Sequence, residues 1–260
     1  MKIATWNVNS LNVRLPHVLR WLEATQPDVL ALQETKLVDE KFPHDDFEKL
    51  GYHTICCGQK TYNGVAIVSR EPLANAVRAL PDFEDSQCRV LAGTMDGVRV
   101  IDVYVPNGQT VGSEKYRYKL AWLDALRHWL QAELAEYPEL AIVGDFNIAP
   151  EPRDVHDPAE WEGKVLFSEP ERAAFRALTG LGLKDSFRLF DQPDGTFSWW
   201  DYRQGSFRRD RGLRIDHVLA SDKLAARCES VSIDREPRGW ERPSDHAPVT
   251  ATFKSLVLSR

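Results

Sequence analysis

An α/β fold rich in strand is what this sequence predicts, on three observations. Short runs of β-branched residues recur along the whole chain, amphipathic helical patterns stand between some of them, and no Gly/Ser-rich, charge-dense or low-complexity stretch separates one half from the other. The 260 residues are therefore expected to form one domain, 1–260.

The elements follow in order. Lys2 to Asn7 reads as a strand, and a helix from about Val13 to Ala24 follows, with Pro16 near its first turn and Val18, Leu19 and Leu22 on one face. Asp28 to Gln33, Tyr52 to Cys57, Val65 to Ser69, Arg89 to Met95 and Val98 to Val105 are further strands. The clearest helix is Ser113 to Tyr137, where Leu123, Leu126, Leu130 and Leu134 share a stripe. After the strand Leu140 to Gly144, the Pro- and acid-rich stretch Ala149 to Trp161 is expected to be a long loop. Ser168-Glu169-Pro170-Glu171 has capping-box spacing and opens a helix that Gly180 stops. Arg214 to Ala220, Ser230 to Asp234 and Val249 to Phe253 complete the strands.

Composition narrows the function classes. No run approaches the roughly 20 apolar residues that span a bilayer, and Met1 leads directly into a strand-like segment, so a cytosolic enzyme or binding protein is expected. Cys56, Cys57, Cys88 and Cys228 lack C-x-x-C spacing, which argues against zinc and against a disulfide framework. A net charge of -6 is unusual for a nucleic-acid binder, but RQGSFRRDRGLR, from Arg203 to Arg214, concentrates five arginines against one aspartate. A basic rim around an acidic pocket would have this balance.

Residues able to hold a metal or phosphate follow one apolar run after another. Asn7 ends KIATW, Glu34 follows DVLALQ, Tyr104 lies in VIDVY, Asp145 and Asn147 follow AIVG, and Asp216 lies within LRIDHVL. Polar groups at strand ends share one edge of a sheet, where ligands bind. In Gly144-Asp145-Phe146-Asn147 an extended chain would point carboxylate and amide to the same side, which suits phosphate chemistry, although an Asx-turn has the same letters. Ser244-Asp245-His246 supplies an imidazole. Its adjacent carboxylate is poorly placed to bond it, so Asp216 is the expected partner and Asp245 is left to face a metal. The other six histidines, His217 among them, are expected at the surface or in packing. Hard oxygen donors from Glu34, Asp145 and Asp245, with amide oxygens, suit Mg²⁺ or Mn²⁺ and not zinc. There is no P-loop and no G-x-S-x-G elbow.

WNVNS, LQETK, YNGVAIVSR, YVPNG, GDFNIAP, FSWWDYR, GLRIDHVL and ERPSDHAPV together resemble the exonuclease III and abasic-site endonuclease family of the endonuclease, exonuclease and phosphatase superfamily. The resemblance implies a four-layer α/β sandwich, two packed mixed sheets with helices outside. It implies one or two Mg²⁺ or Mn²⁺ ions held chiefly by Glu34, helped by Asn7 and Asp245, with Asp145, Asn147 and His246 also near the metal. Tyr104, Asp145, Asn147, Asp216 and His246 would form the catalytic set. Lys36, Asn63, Asn107, Arg203, Arg208 and Arg209 would contact DNA, and Trp199, Leu213 and Ile215 would line an apolar pocket for an abasic sugar, unless these three are ordinary core. The implied substrate is double-stranded DNA with abasic sites or blocked 3′ ends, handled by a monomer in the bacterial cytoplasm. Another phosphoesterase of the superfamily, acting on nucleotides or inositol lipids, is the alternative. A catalytically silent DNA-binding relative is a second, against which the joint presence of Glu34, Asp145, Asn147, Asp216, Asp245 and His246 speaks.

Overall fold

Alternation along β1 (Lys2–Asn7) sends Ile3 into a core between two sheets and Ala4 and Trp6 to the opposite side, where helices cover them. The computed structural model describes residues 1–255. One sheet contains β1, β2 (Val29–Gln33), β3 (His53–Cys57), β4 (Val65–Ser69), β13 (Cys228–Ile233) and β14 (Val249–Phe253), in the order β13-β14-β1-β2-β4-β3. The other contains β5 (Ala74–Val77), β6 (Val90–Met95), β7 (Val98–Tyr104), β8 (Leu140–Asp145), β9 (Leu183–Asp185) and β12 (Asp216–Ser221), in the order β5-β6-β7-β8-β12-β9. The parallel pairs are β1–β2 and β7–β8, so both sheets are mixed.

Val29, Ala31, Val65 and Ile67 of the first sheet meet Val100, Ala141, Val143 and Val218 of the second. On the outside, α1 (Leu11–Thr25) and α2 (His44–Glu48) press Val18, Trp21, Leu22 and Phe47 onto the first sheet. The second sheet is covered by Trp122, Leu126 and Leu130 of α3 (Glu114–Glu136) and by Phe175 and Leu178 of a later helix. The short α4 (Pro158–Trp161) precedes α5 (Glu169–Thr179), and the equally short α6 (Asp222–Ala225) follows β12. The result is the four-layer sandwich expected above.

Several boundaries differ from the sequence reading. α1 starts at Leu11, which places Pro16 deeper than the first turn; the carbonyl that loses its usual N–H partner belongs to exposed Asn12. β5 and β9 were not anticipated, because one is an exposed edge strand and the other is three residues long. The stretch from Ala149 to Trp161 is a connection with local order: Glu151 and Asp154 cap a 3₁₀ turn, and Asp157 caps α4. The strand expected from Arg214 starts at Asp216.

Candidate active site

The topology brings the polar strand ends to one edge. In the first sheet Asn7 pairs in register with Gln33, so Glu34 is the first residue beyond the strand. Its left-handed backbone, φ 53°, turns the chain out of the sheet. In the second sheet Tyr104, Asp145 and Asp216 occupy one row across β7, β8 and β12. Asn7 joins the two sheets: its Nδ2 donates to Glu34 Oε2 at 2.7 Å and to Asp145 Oδ2 at 2.9 Å. Gly144 lets β8 approach β7 so closely, since a Cβ there would lie 1.9 Å from the Val103 carbonyl oxygen.

His246 precedes β14 and points into this row. Its Nδ1 is 2.9 Å from Asp216 Oδ2, and its Nε2 is 3.6 Å from Asp145 Oδ2. Asp216 is itself oriented by Ser198, whose hydroxyl donates to Oδ2 at 2.7 Å and accepts from the backbone of Ile215 and Asp216. Burial alone would disfavour the charged imidazole. The carboxylates of Asp216, Asp145 and Asp245 outweigh that penalty and raise His246 to about 10. Burial likewise raises Asp145, to about 7; His246 opposes this, and the negative charge of Asp216 reinforces it. Tyr104 is pushed well above the ordinary phenol range, first by burial and then by Glu34 and Asp145, so it stays a neutral donor.

The GDFN segment is a turn rather than an extended strand. Asn147 is left-handed, φ 49°, and its N–H donates to Asp145 Oδ1 at 2.9 Å, an Asx-turn. Its side-chain amide is fixed at both ends: Nδ2 donates to Val105 O at 2.9 Å, and Oδ1 accepts from Asn107 at 3.3 Å. One N–H of that amide is left for a ligand.

Glu34, Asp145 and His246 each bring a ligand atom within 4.8 Å of the others. Asp245 stands outside this trio, with its oxygens engaged by Trp199 Nε1 at 3.0 Å and Asn9 Nδ2 at 3.3 Å. Asn7 turns its N–H, not its oxygen, toward the carboxylates; the oxygen accepts from the backbone of Asn9. Asn147 likewise has its oxygen occupied. Of the expected ligands, Asn7 and Asn147 thus present amide N–H groups to their neighbours here, and Asp245 is tied to Trp199.

The tie to Trp199 arises because the short β10 (Trp199–Trp200), paired with β11 (Gly212–Leu213), runs beside residues 245–247. Trp199 is half-buried beside a hollow of about 190 Å³ that it lines with Trp161, Arg203 and Arg211. Leu213 and Ile215 do not line it. Both are fully buried with Ala149, Val155, Leu166 and Phe167, beneath Trp199, because β11 and the turn into β12 carry them inward. A larger hollow, about 740 Å³, is lined by Tyr104 together with Tyr62, Asn63, Arg89 and Asn107. Lys36 bridges Asn9 Oδ1 at 2.6 Å and Glu34 at 3.5 Å. Arg203, Arg208 and Arg209 are exposed, but Arg214 does not belong to a rim: it is buried in ion pairs with Asp154 and Asp185, each at 2.7 Å.

A model described as the Endonuclease/Exonuclease/phosphatase family matches residues 4–246. The chain belongs to that family. Exodeoxyribonuclease III of Haemophilus influenzae is 40% identical over 98% of this chain and 100% of its own length. The Neisseria 3′ phosphatase NExo, solved with a product DNA hairpin, superposes with a TM-score of 0.97 at 48% identity, covering 98% of this chain and 100% of that one. An AP endonuclease from Archaeoglobus fulgidus gives a TM-score of 0.95 at 40% identity, over 98% and 100% of the two chains.

The sequence reading of this family member missed Ser198, Asn9 and Lys119. Ser198 carries no local signal, because the Asp216 that it orients is 18 residues away. Lys119 did leave one. It falls on the same helical stripe as Leu123, Leu126 and Leu130, where a charged residue is out of place unless it has buried partners.

Proposed function

We propose that this family member is a DNA-repair hydrolase that uses a divalent cation, Mg²⁺ or Mn²⁺, to cut phosphodiesters at abasic sites and to clear blocked 3′ ends. The observation that carries the reading is the buried row Asp216–His246–Asp145, meeting Glu34 across Asn7 at one sheet edge.

The residues fit a hard cation. Carboxylates of Glu34 and Asp145 face one another through Asn7, and the negative charge that has collected around Asp145 is what a dication would offset. Glu34 is the principal holder, with Asp145 beside it. When bound, such an ion polarises a phosphoryl oxygen and stabilises charge on the leaving oxygen.

The protein's own groups supply the rest. Asp145, held by Asn7 beside His246, is placed to take the proton of an attacking water. His246, charged and held by Asp216, donates from Nε2 to a phosphoryl oxygen as negative charge builds there. The free Asn147 N–H and the neutral Tyr104 hydroxyl are further donors. Exposed Arg203, Arg208 and Arg209 attract the phosphate backbone despite the acidic net charge. Trp199 closes over the gap of an abasic site, where flipping costs least. DNA is the partner in this reading, and one chain contains the whole site.

An end-labelled duplex with a single abasic analogue, and a second ending in a 3′-phosphate, tests the proposal with Mg²⁺ and with Mn²⁺. Products of defined size or release of phosphate are expected. Hydrolysis of an inositol phosphate or mononucleotide with both duplexes intact would reject it.

A further inference from the structure

The buried face of α3 carries Tyr116, Trp122, Leu123, Leu126 and Leu130, and Lys119 lies among them without solvent contact. A lysine stripped of water is costly unless every N–H has a partner. All three do: Nζ donates to Asn147 O at 2.6 Å, to Asn107 O at 3.1 Å and to the carboxylate of Glu171. Glu171, also fully buried, accepts in addition from Leu166 N at 3.0 Å, Ser168 N at 3.1 Å and the Ser168 hydroxyl. The pair therefore joins α3 to three other segments. These are the turn after β7 bearing Asn107, the turn after β8 bearing Asn147, and the loop before α5 bearing Leu166 and Phe167.

We propose that Lys119, braced by Glu171, is a positioning residue for the phosphodiester reaction, setting the Asn107–Asn147 amide pair so that one Asn147 N–H faces the phosphoryl group. The inference rests on the phosphodiesterase reading of the site. Packing and stability alone do not call for an ion pair here, since buried pairs replaced by apolar side chains of similar volume are often neutral or stabilising. What an apolar residue lacks is the ability to hold two carbonyls on different turns. Those turns carry the two amides that bond each other at 3.3 Å, and Ala149 N to Leu166 O at 2.8 Å ties the second turn to the loop backing Trp199.

The test separates positioning from stability. Lys119→Met alone strands a buried carboxylate and lowers the melting temperature; Lys119→Met/Glu171→Leu removes both charges and is expected to recover part of that loss, since the N–H groups of Leu166 and Ser168 still lose their acceptor. In the double variant kcat on the 3′-phosphate duplex should still fall, by roughly 10- to 100-fold, the scale of a small misplacement. KM, and Mn²⁺ affinity titrated on the protein, should stay near wild type. The ¹⁵N side-chain amide signals of Asn107 and Asn147, which need no substrate, should move toward unstructured values. Should the double variant fail to fold, Glu171→Gln, which leaves Lys119 its two carbonyls but takes away its counter-charge, is expected to lower kcat less than Lys119→Met does. Recovery of melting temperature and kcat together, unmoved amide signals, or a Glu171→Gln loss equal to that of Lys119→Met would overturn the proposal. Wild-type protein inert on both duplexes would instead count against the phosphodiesterase reading, while the amide signals would still decide the role of Lys119.

Discussion

The indole N–H of Trp199 donates to Asp245 Oδ2 at 3.0 Å, from a strand that lies alongside the Ser244-Asp245-His246 segment. Trp199 thus has two separable tasks, covering the hollow and holding a carboxylate. Trp199→Phe keeps a ring and deletes the donor. A hydrogen bond to a charged group contributes about 1.5–3 kcal/mol, so kcat/KM should fall about 10-fold or more on abasic and 3′-phosphate substrates alike. Trp199→Ala should fall further on the abasic duplex alone, by the 1–3 kcal/mol or so typical of stacking. Steady-state kinetics on both substrates decides; a Phe variant with full activity would show the N–H contact to be idle.

Asp216 and His246 act through one hydrogen bond, with Ser198 orienting the acid. Removing either partner should therefore cost nearly as much as removing both. Single-turnover rates of Asp216→Ala, His246→Ala and the double variant form the cycle. If the single losses multiplied, the two would be independent groups.

Glu34 is more exposed than Asp145, the other carboxylate that gathers with it and His246, and its left-handed backbone aims it at Asn7. Glu34→Gln is nearly isosteric, and it removes the charge and one of the two acceptor oxygens. Mn²⁺ affinity, measured by calorimetry, should weaken clearly, and kcat should drop by about 100-fold or more. Unaltered Mn²⁺ affinity would move the ion elsewhere.

The sequence made some of this legible and hid the rest for physical reasons. Asn7, Glu34, Asp145 and Asp216 stood out because a strand buried on both faces reads as an apolar run, and a polar residue at its end interrupts the run. The direction of a side chain in an irregular segment leaves no such mark. Arg214 looked like its neighbours in a basic run, yet its partners Asp154 and Asp185 lie 60 and 29 residues away. Leu213 and Ile215 were readable as apolar but not as covered. The hydrogen bond between Trp199 and Asp245 spans 46 residues and depends on where β10 docks.

Arg208 and Arg209 are exposed and bond no carboxylate among the described residues, whereas Arg214 is neutralised within the protein. Arg208→Ala/Arg209→Ala should lower the slope of log Kobs against log salt by up to about 1.8 in magnitude, or about 0.9 for each duplex phosphate no longer neutralised. Arg214→Ala should leave the slope alone but destabilise the fold by about 3–5 kcal/mol, because partly buried Asp185 loses its guanidinium and buried Asp154 keeps only that of Arg188. Fluorescence anisotropy over a salt series and urea unfolding separate the two effects. A slope that changes only with Arg214 would reverse the assignment.

His217 sets an acid limit on stability. It is buried between Phe146 and Phe175; its Nε2 is 2.8 Å from Ile148 O, and its Nδ1 is 3.1 Å from an Arg214 Nη1. The ring is therefore neutral, donating from Nε2 and accepting at Nδ1, and a second proton would face a guanidinium. Burial first, and Arg214 second, lower it from 6.5 to about 4. Between those values the unfolded ring binds a proton that the folded ring does not, so stability rises with pH through this window and is lost as pH falls from about 6.5 toward 4. At about 1.4 kcal/mol per pKa unit the whole shift amounts to about 3 kcal/mol. His217→Gln can keep both hydrogen bonds without titrating. It should be somewhat less stable than wild type at about pH 7.5, lacking a packed ring, but should lose less stability between about pH 6.5 and pH 4. Urea midpoints of the two proteins across that range give the difference directly. Parallel curves would mean that His217 does not titrate there and that the acid sensitivity belongs to the buried carboxylates.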